Sequence, residues 1–264
     1  MNLMYLDWSK SRKTPGTAGT FLKAYDDTST IKKYYKLSNY NSVDGITGHE
    51  CINEIVADRI LDILDFEHLH YELIYADIVI NNKQYKTYLC CSDDFKKDDE
   101  RKVEIETYYE LSKQKDERPI DYCIRMGFQK EIYQMIVIDF IICNRDRHGA
   151  NIELLKNSKG KIRLAPLFDH GLSLFFNIND FNKLNNIDFL EDKKVQSFVG
   201  GSSLFENLKL MDKNKLPKIR KLDSEDKKYI FKDIDRIMPK IWVDSVWKLI
   251  NKRINYYEDF CNKK

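Results

Sequence analysis

The sequence predicts an α+β fold in two lobes, a small antiparallel β lobe plus one helix followed by a larger, mainly helical lobe. Strand-type patterns prevail over residues 1–95, where they flank a single amphipathic helix. Helical patterns prevail from about residue 104 onward, and residues 128–143 become almost entirely apolar, which is typical of a buried helix. We therefore expect an N-terminal lobe at residues 1–95 and a C-terminal lobe at residues 96–264, which together form one domain.

Composition limits the class of protein. The 264 residues suffice for a substantial hydrophobic core. The 44 Lys and Arg residues nearly balance the 42 Asp and Glu residues, so the charge gives no reason to expect direct nucleic-acid binding. The six cysteines lack metal-type spacing, and we expect free thiols in a reducing compartment. Since we find neither a signal-peptide pattern nor an apolar run long enough for a membrane span, we expect a cytoplasmic protein.

Residues 9–20 form a loop of small residues that contains two glycines and precedes a strand-type run. Because glycine tolerates unusual backbone angles, such a loop can bring its N–H groups close to phosphate oxygens. Gly16, Thr17 and Gly19 are therefore candidate phosphate-binding residues. A plain hairpin turn is the alternative interpretation.

A strand lysine and a helix glutamate form the next candidate pair. Lys36 lies near the end of a predicted strand at residues 31–37, and the following helix is predicted to begin with a capping box of Thr47 and Glu50. Glu54 lies 18 positions after Lys36 and is not used by the capping box, so we predict that it forms an ion pair with Lys36. Glu50 is the second choice. The apolar positions of the helix have helical spacing: Ile52, Ile55, Val56, Ile60, Leu61 and Leu64.

Two further predicted strands, residues 70–80 and 85–92, flank an Asn-rich turn and form a hairpin that completes the small lobe. Cys90 and Cys91 lie where the second of these strands leaves the lobe. The interleaved charges that follow, at residues 93–102, predict a solvated linker.

Residues 139–171 are the most informative stretch. The buried helix leads into Asp146, and Asn151 follows five positions later. Two short strands then form a predicted hairpin that places Asp169 next to Asn151. Phosphoryl transfer from ATP requires one carboxylate that orients the attacking hydroxyl, and an amide oxygen and a second carboxylate that hold magnesium ions. The Asp-x-x-x-x-Asn spacing is also that of the protein-kinase catalytic loop. We therefore predict a kinase-fold phosphotransferase that uses ATP and Mg²⁺.

The motif Asp-Arg-His-x-x-Asn, followed by Phe-Asp-His-Gly, resembles the HipA-like serine/threonine kinases and, in the same two motifs, the phosphatidylinositol 3- and 4-kinases. The resemblance to the HipA-like group extends to the glycine-containing loop, the strand with Lys36, the helix with Glu54 and the chain length. It implies a two-lobed protein-kinase-like fold. It also implies that Asp146 is the catalytic aspartate and that Asn151 and Asp169 hold Mg²⁺.

The resemblance implies further roles. Lys36 would contact the α- or β-phosphate of ATP, and the backbone at Cys90 and Cys91 would form the hinge that meets the adenine ring. Asp139 and His148 would fix the catalytic loop. The loop would carry the sites of autophosphorylation, for which the candidates are Ser11, Thr14, Thr17 and Thr20. The implied partners are a protein substrate with a Ser or Thr hydroxyl and a protein antitoxin, which would make the chain a toxin or an effector.

Three alternative functions stay open. The first is a small-molecule or lipid kinase on the same fold, although residues 144–146 read Asn-Arg-Asp where aminoglycoside and choline kinases usually carry His-x-Asp. The second is a catalytically silent binding module, and the third is nucleotidyl transfer from ATP. His148 and His170 lack the ligand spacing of a zinc site, so we do not predict a metal-dependent hydrolase.

Overall fold

The computed structural model describes residues 1–9, 21–28 and 30–263. Residues 10–20 of the glycine-containing loop, which include Gly16, Thr17 and Gly19, lie outside the described residues, as do the four candidate sites of autophosphorylation. The described part has the predicted α+β architecture. A small antiparallel β lobe with one helix precedes a larger lobe built mainly of helices.

Within residues 21–28 and 30–93, a four-stranded antiparallel sheet forms the small lobe. The elements of the small lobe are β1 (Lys23–Asp26), β2 (Lys33–Leu37), β3 (Tyr40–Asn41), β4 (Gly45–Ile46), α1 (Glu50–Leu64), β5 (Glu72–Ile80) and β6 (Lys83–Asp93). The strand order is β1-β2-β6-β5, while β3 and β4 form a short separate hairpin. One face of the sheet buries apolar side chains from all four strands together with Leu3 and Leu6.

The predicted hairpin between β5 and β6 is confirmed. Ile80 lies opposite Lys83, so the loop contains only two residues, Asn81 and Asn82. Both have positive φ angles, 50° and 62°, which is the geometry of the two-residue turn that best matches the twist of paired strands. The second strand therefore begins two residues before the predicted start.

The larger lobe contains the remaining elements. Its described helices are α2 (Ile105–Ser112), α3 (Pro119–Arg125), α4 (Gln129–Ile142), α5 (Leu204–Lys209), α6 (Ser224–Phe231) and α7 (Lys240–Asn262). Its described strands are β7 (Glu100–Glu104), β8 (Asp146–Arg147), β9 (Glu153–Asn157), β10 (Ile162–Leu164) and β11 (Gln196–Ser197). β7, β9 and β10 form an antiparallel sheet, and β8 pairs with β11 in parallel. The predicted hairpin of β9 and β10 is thus confirmed.

Helix α4 is the predicted buried helix. Its last eight residues are all buried, and it packs against α5 and α7. Cys143 follows it with a left-handed backbone conformation, φ 55°, which ends the helix and redirects the chain. Asp146 therefore lies only four residues beyond a rigid, buried element.

Helix α1 is buried on almost every side. All six predicted apolar positions are buried, and the helix packs against β5 and β6. It also packs against α6, where the Arg59 guanidinium donates to the carbonyls of Ile230 and Lys232, both at 2.8 Å. The helix is therefore fixed to both lobes.

The predicted capping box at the start of α1 is wrong. The helix begins at Glu50, and His49 is the N-cap residue. The Thr47 amide donates to the Asn39 carbonyl at 2.7 Å, and the Glu50 carboxylate accepts from the Asn39 amide at 3.0 Å. Both partners of the expected box are therefore used by the backbone of Asn39.

The solvated linker predicted at residues 93–102 is wrong for its last three residues, which belong to β7. Glu100 is buried, and its carboxylate accepts two hydrogen bonds of 2.8 Å from the Arg163 guanidinium. Lys102 lies 3.3 Å from Asp94. Glu100 and Lys102 therefore each have an oppositely charged partner in the folded chain, Arg163 and Asp94. Because these charges are paired, the segment can form a strand next to β9.

All six cysteines lie in the described segments and are free thiols. None of the helices in the described part of the chain combines the length and apolarity that crossing a bilayer requires.

Candidate active site

Arg147 holds the loop that carries Asp146. Its buried guanidinium binds the Asp139 carboxylate through two hydrogen bonds of 2.9 Å, an arrangement that fixes both position and orientation. The same guanidinium donates to the Phe168 carbonyl at 2.7 Å and to the Asn151 carbonyl at 3.3 Å. The Arg147 side chain therefore connects three parts of the site: helix α4, the residue that precedes Asp169, and Asn151 itself.

Asp146 and Asn151 are in direct contact. The Asn151 side-chain amide donates to the Asp146 carbonyl at 2.9 Å and lies 3.5 Å from the Asp146 carboxylate. His148 accepts from the Ala150 amide through Nδ1, so a neutral ring carries its proton on Nε2, 3.5 Å from the Asp146 carboxylate. Burial raises the pKa of Asp146, and the negative charge of Asp169 adds to this.

Asp169 lies opposite two lysines. Its carboxylate is 2.9 Å from Lys36 Nζ and 3.8 Å from Lys23 Nζ. Lys36 Nζ is also 2.7 Å from the Glu54 carboxylate and 3.2 Å from the Tyr71 hydroxyl. Burial alone would lower the pKa of Lys36, but the two carboxylates raise it well above its ordinary value. Lys36 is therefore always positively charged. Of the two candidate glutamates on α1, Glu54 is the one that contacts it, as predicted.

Helix α1 also positions the Asp-His-Gly segment. The second carboxylate oxygen of Glu54 accepts from the His170 amide at 2.8 Å. The Asn53 side chain donates to the carbonyls of Gly171 and Ser173, both at 3.0 Å. A Cβ at position 171 would lie 3.3 Å from the Glu50 Cβ, so glycine permits the close approach of this segment to the helix.

Cys90 and Cys91 are placed inside the sheet rather than at its exit. Both are buried in β6, which has neighbours on both sides, and Cys90 lies opposite Lys36 in β2. Pairing continues to Asp93, and the Asp94 amide still donates to the Lys32 carbonyl at 2.9 Å. Because the backbone groups of the two cysteines take part in the sheet ladders, the predicted adenine contact does not fit them.

Several residues at the site were not singled out from the sequence. Arg147 was visible within the Asp-Arg-His motif and could have been chosen for its position next to Asp146. Lys23 lies opposite Lys36 in the register of β1 and β2, which no local pattern indicates. Tyr71 and Asn53 likewise act through contacts that depend on the packing of α1.

The donors at the site fit a magnesium ion. Mg²⁺ prefers oxygen ligands and is commonly held by one or two carboxylates together with substrate phosphates. Asp169 supplies a carboxylate, and Asn151 supplies its amide oxygen because its amide nitrogen is bound to the Asp146 carbonyl. Asp146 adds a second carboxylate nearby.

Comparison with solved structures identifies the fold. The chain is similar to the proinflammatory kinase CtkA of Helicobacter pylori, with a TM-score of 0.57 and 17% sequence identity over 96% of this chain and 93% of that one. The chain therefore has the fold of this kinase. The predicted two-lobed, kinase-like fold class is therefore confirmed.

Two further similarities are more limited. The structure of HipA from Shewanella oneidensis MR-1, in a toxin–antitoxin complex with HipB and operator DNA, aligns with a TM-score of 0.44 and 11% identity over 96% of this chain and 69% of that one. Phosphatidylinositol 4-kinase gamma 4 of Arabidopsis thaliana is 42% identical over 45 residues, which are 17% of this chain and 8% of the plant protein. No protein-family model matches the chain.

Proposed function

We propose that this protein is an ATP- and Mg²⁺-dependent kinase that transfers the γ-phosphoryl group to a serine or threonine hydroxyl of a protein substrate. One observation carries the proposal. Arg147 binds the carbonyls of both Asn151 and Phe168, which brings Asn151 next to the residue that precedes Asp169, and Asp169 is close enough to Asp146 for its charge to raise the pKa of Asp146. These are the groups that phosphoryl transfer requires, and they lie on a kinase fold.

In this proposal Asp146 orients the attacking hydroxyl and accepts its proton. Its raised pKa makes it a stronger base than an ordinary aspartate, while its coupling to His148 and Asn151 keeps the carboxylate in place. Asn151 and Asp169 hold Mg²⁺. The ion, when bound, neutralises charge on the transferred phosphoryl group.

Lys36 binds the nucleotide phosphates, and Glu54 fixes its ammonium group from the other side. Lys23 lies on the neighbouring strand and adds a second positive charge next to Asp169. Two ammonium groups beside a magnesium site suit the triphosphate of ATP. We assign the adenine contact to the segment after Asp93, where the chain leaves the sheet.

A lipid kinase is the second candidate function, because the 45-residue match is to a phosphatidylinositol 4-kinase. A silent binding module is less consistent with a site in which every group that the reaction needs is present. An antitoxin partner and autophosphorylation of the loop stay predictions from the sequence resemblance.

Intact-mass spectrometry of the purified protein, incubated with ATP and Mg²⁺ and with a cell lysate as substrate source, tests the proposal. We expect phosphate to be added to the protein itself or to lysate proteins, and to be lost in both Asp146→Asn and Asp169→Asn. The control is Asp235→Asn, the same change at an exposed carboxylate in a short turn of the helical lobe. It should retain full activity.

The remaining outcomes separate the alternatives. A gain the size of a nucleotide would indicate nucleotidyl transfer, and phosphate on lipid vesicles but on no protein would indicate a lipid kinase. Failure to transfer phosphate, together with no thermal shift on adding ATP, would leave the binding module.

A further inference from the structure

A second polar cluster lies at the other end of α1. Asp58, Asp62, His68 and His70 each bring one potential metal-binding atom within 4.8 Å of the others. His68 Nε2 is 3.3 Å from Asp58 Oδ1 and 3.6 Å from Asp62 Oδ1. His70 Nδ1 is 3.5 Å and 3.7 Å from the same two oxygens.

The chain creates this convergence by simple spacing. Asp58 and Asp62 are four residues apart on α1 and therefore lie on the same face of the helix. His68 and His70 are two residues apart in the extended segment that leads into β5, so their side chains point to the same side. The two rings lie 4.5 Å apart.

The state of His68 provides independent support for a ligand. The residue is 8% exposed, and its Nδ1 lies 2.7 Å from the Phe66 carbonyl, so Nδ1 carries the proton and Nε2 holds a lone pair in the neutral ring. Nε2 makes no hydrogen bond with any described residue. A buried Nε2 that faces two carboxylates is unfavourable unless it is protonated or a cation lies between them. A histidine bound to a backbone carbonyl through its other nitrogen is also typical of metal ligands.

The local charge points to a cation as well. The last turn of α1, which is described in full, contains no basic residue, and a helix carries partial negative charge at its C-terminal end. Asp62 adds a full negative charge there. The carboxylates are oriented by neutral donors, the Tyr71 amide at 3.0 Å from Asp58 and the Tyr229 hydroxyl at 2.7 Å from Asp62.

We propose that Asp58, Asp62, His68 and His70 bind one divalent transition-metal ion of the zinc class. In a tetrahedral zinc site, bonds of about 2.0–2.2 Å place neighbouring ligand atoms about 3.4 Å apart. The four His–Asp distances, 3.3 to 3.7 Å, match that separation. Two imidazoles with two carboxylates suit Zn²⁺ better than Mg²⁺ or Ca²⁺, and four protein ligands make the site structural.

Such an ion would fix the segment after α1 to the helix. The Leu69 amide donates to the Leu167 carbonyl at 2.8 Å, and the Leu167 amide donates to the Glu67 carbonyl at 3.2 Å. Leu167 lies two residues before Asp169. The metal would therefore hold α1 in register with the backbone that leads to the candidate active site.

Metal binding itself provides the test. The chelator-treated protein is titrated with Zn²⁺ by calorimetry, and its Co²⁺ form is examined for the visible absorption of a tetrahedral complex. We expect one equivalent to bind with that spectrum. His70→Ala, at a largely exposed side chain, should weaken binding at least about 10-fold. Glu67→Gln, at an exposed carboxylate next to the cluster, should bind as the unchanged protein does.

Two outcomes would overturn the proposal. The first is the absence of a stoichiometric metal, and the second is unchanged affinity in His70→Ala. Either would favour a protonated His68 paired with Asp58, because burial disfavours the charged ring but the Asp58 carboxylate raises the pKa of His68 overall. Asp146→Asn should bind zinc normally, so the outcome is independent of the proposed kinase activity.

Discussion

The carboxylates in the two halves of α1 have different partners. In the N-terminal half, Glu54 is paired with Lys36, a cation that the protein itself supplies at 2.7 Å. In the C-terminal half, Asp58 and Asp62 lie 3.3 to 3.7 Å from the imidazoles of His68 and His70, and their hydrogen-bond donors, the Tyr71 amide and the Tyr229 hydroxyl, are neutral. A lysine with a raised pKa is charged throughout the pH range in which proteins are stable, whereas an imidazole is largely neutral above its pKa.

The difference indicates how each half of the helix is stabilised. The N-terminal half carries its own counter-charge and needs no ligand to hold Glu54 and Asp169 in place. The C-terminal half has an excess of negative charge that an exchangeable cation would neutralise. We therefore expect the two halves to respond to different perturbations.

The largest effect should follow from removing the internal cation. Lys36→Met removes the ammonium group that lies nearest to both Glu54 and Asp169 and should lower the free energy of unfolding by about 3–5 kcal/mol. The urea midpoint of purified protein measures this. The control is Lys33→Met in the same strand, where the ion pair with Asp93 is exposed and should contribute less than about 1 kcal/mol. Equal losses in the two variants would show that the Lys36 pair has no special role.

The C-terminal half should respond to metal with a smaller effect. Zinc at 100 times its dissociation constant should stabilise the protein by about 2.7 kcal/mol, because only the folded state brings the four ligands together. His70→Ala should abolish this gain, while its stability without metal should change by less than about 0.5 kcal/mol. Thermal unfolding with and without Zn²⁺ measures both. Equal stabilisation of both proteins would place any bound metal elsewhere.

The smallest effect concerns the acid side of the activity profile. The proposed reaction needs ionised Asp146, and since burial raises its pKa, activity should fall at a higher pH than for an ordinary aspartate. The charge of His148 lowers the pKa of Asp146, so His148→Gln should move the acid limb to still higher pH. Initial rates of phosphate transfer across the pH range measure the limb. If His148→Gln lowers the rate equally at every pH and the acid limb does not move, His148 acts only structurally.

Much of the candidate site could be predicted because its groups are close together in the chain. Asp146 and Asn151 belong to one loop, and Asp169 ends the hairpin that follows it, so spacing alone placed them together. The Lys36–Glu54 contact was likewise foreseen, since a strand and the helix after it bring such pairs within reach. Their catalytic roles stay predictions.

Other features could not be read from neighbouring residues. Glu100 forms its strand because Arg163, 63 positions away, binds its carboxylate. The hinge was predicted at Cys90 and Cys91. In the structure, the next three residues, 92–94, still pair with β2 or with Lys32 before the chain leaves the sheet. The sequence Asp-x-x-x-Asp, followed by His-x-His, could have suggested the proposed metal site. These four residues come together, however, only because the chain reverses direction after α1 and brings the two histidines back to the helix.

Local spacing along the chain thus determined which groups could react, because loops and hairpins of a few residues have little freedom in how they bring side chains together. The partners of buried charge depended on sheet register and helix packing. Lys23 reaches Asp169 only once the two lobes are packed together, and Arg147 reaches the Phe168 carbonyl only once the hairpin of β9 and β10 has returned the chain. A buried charge takes the partner that the folded backbone presents to it, and that choice involves residues far apart in sequence.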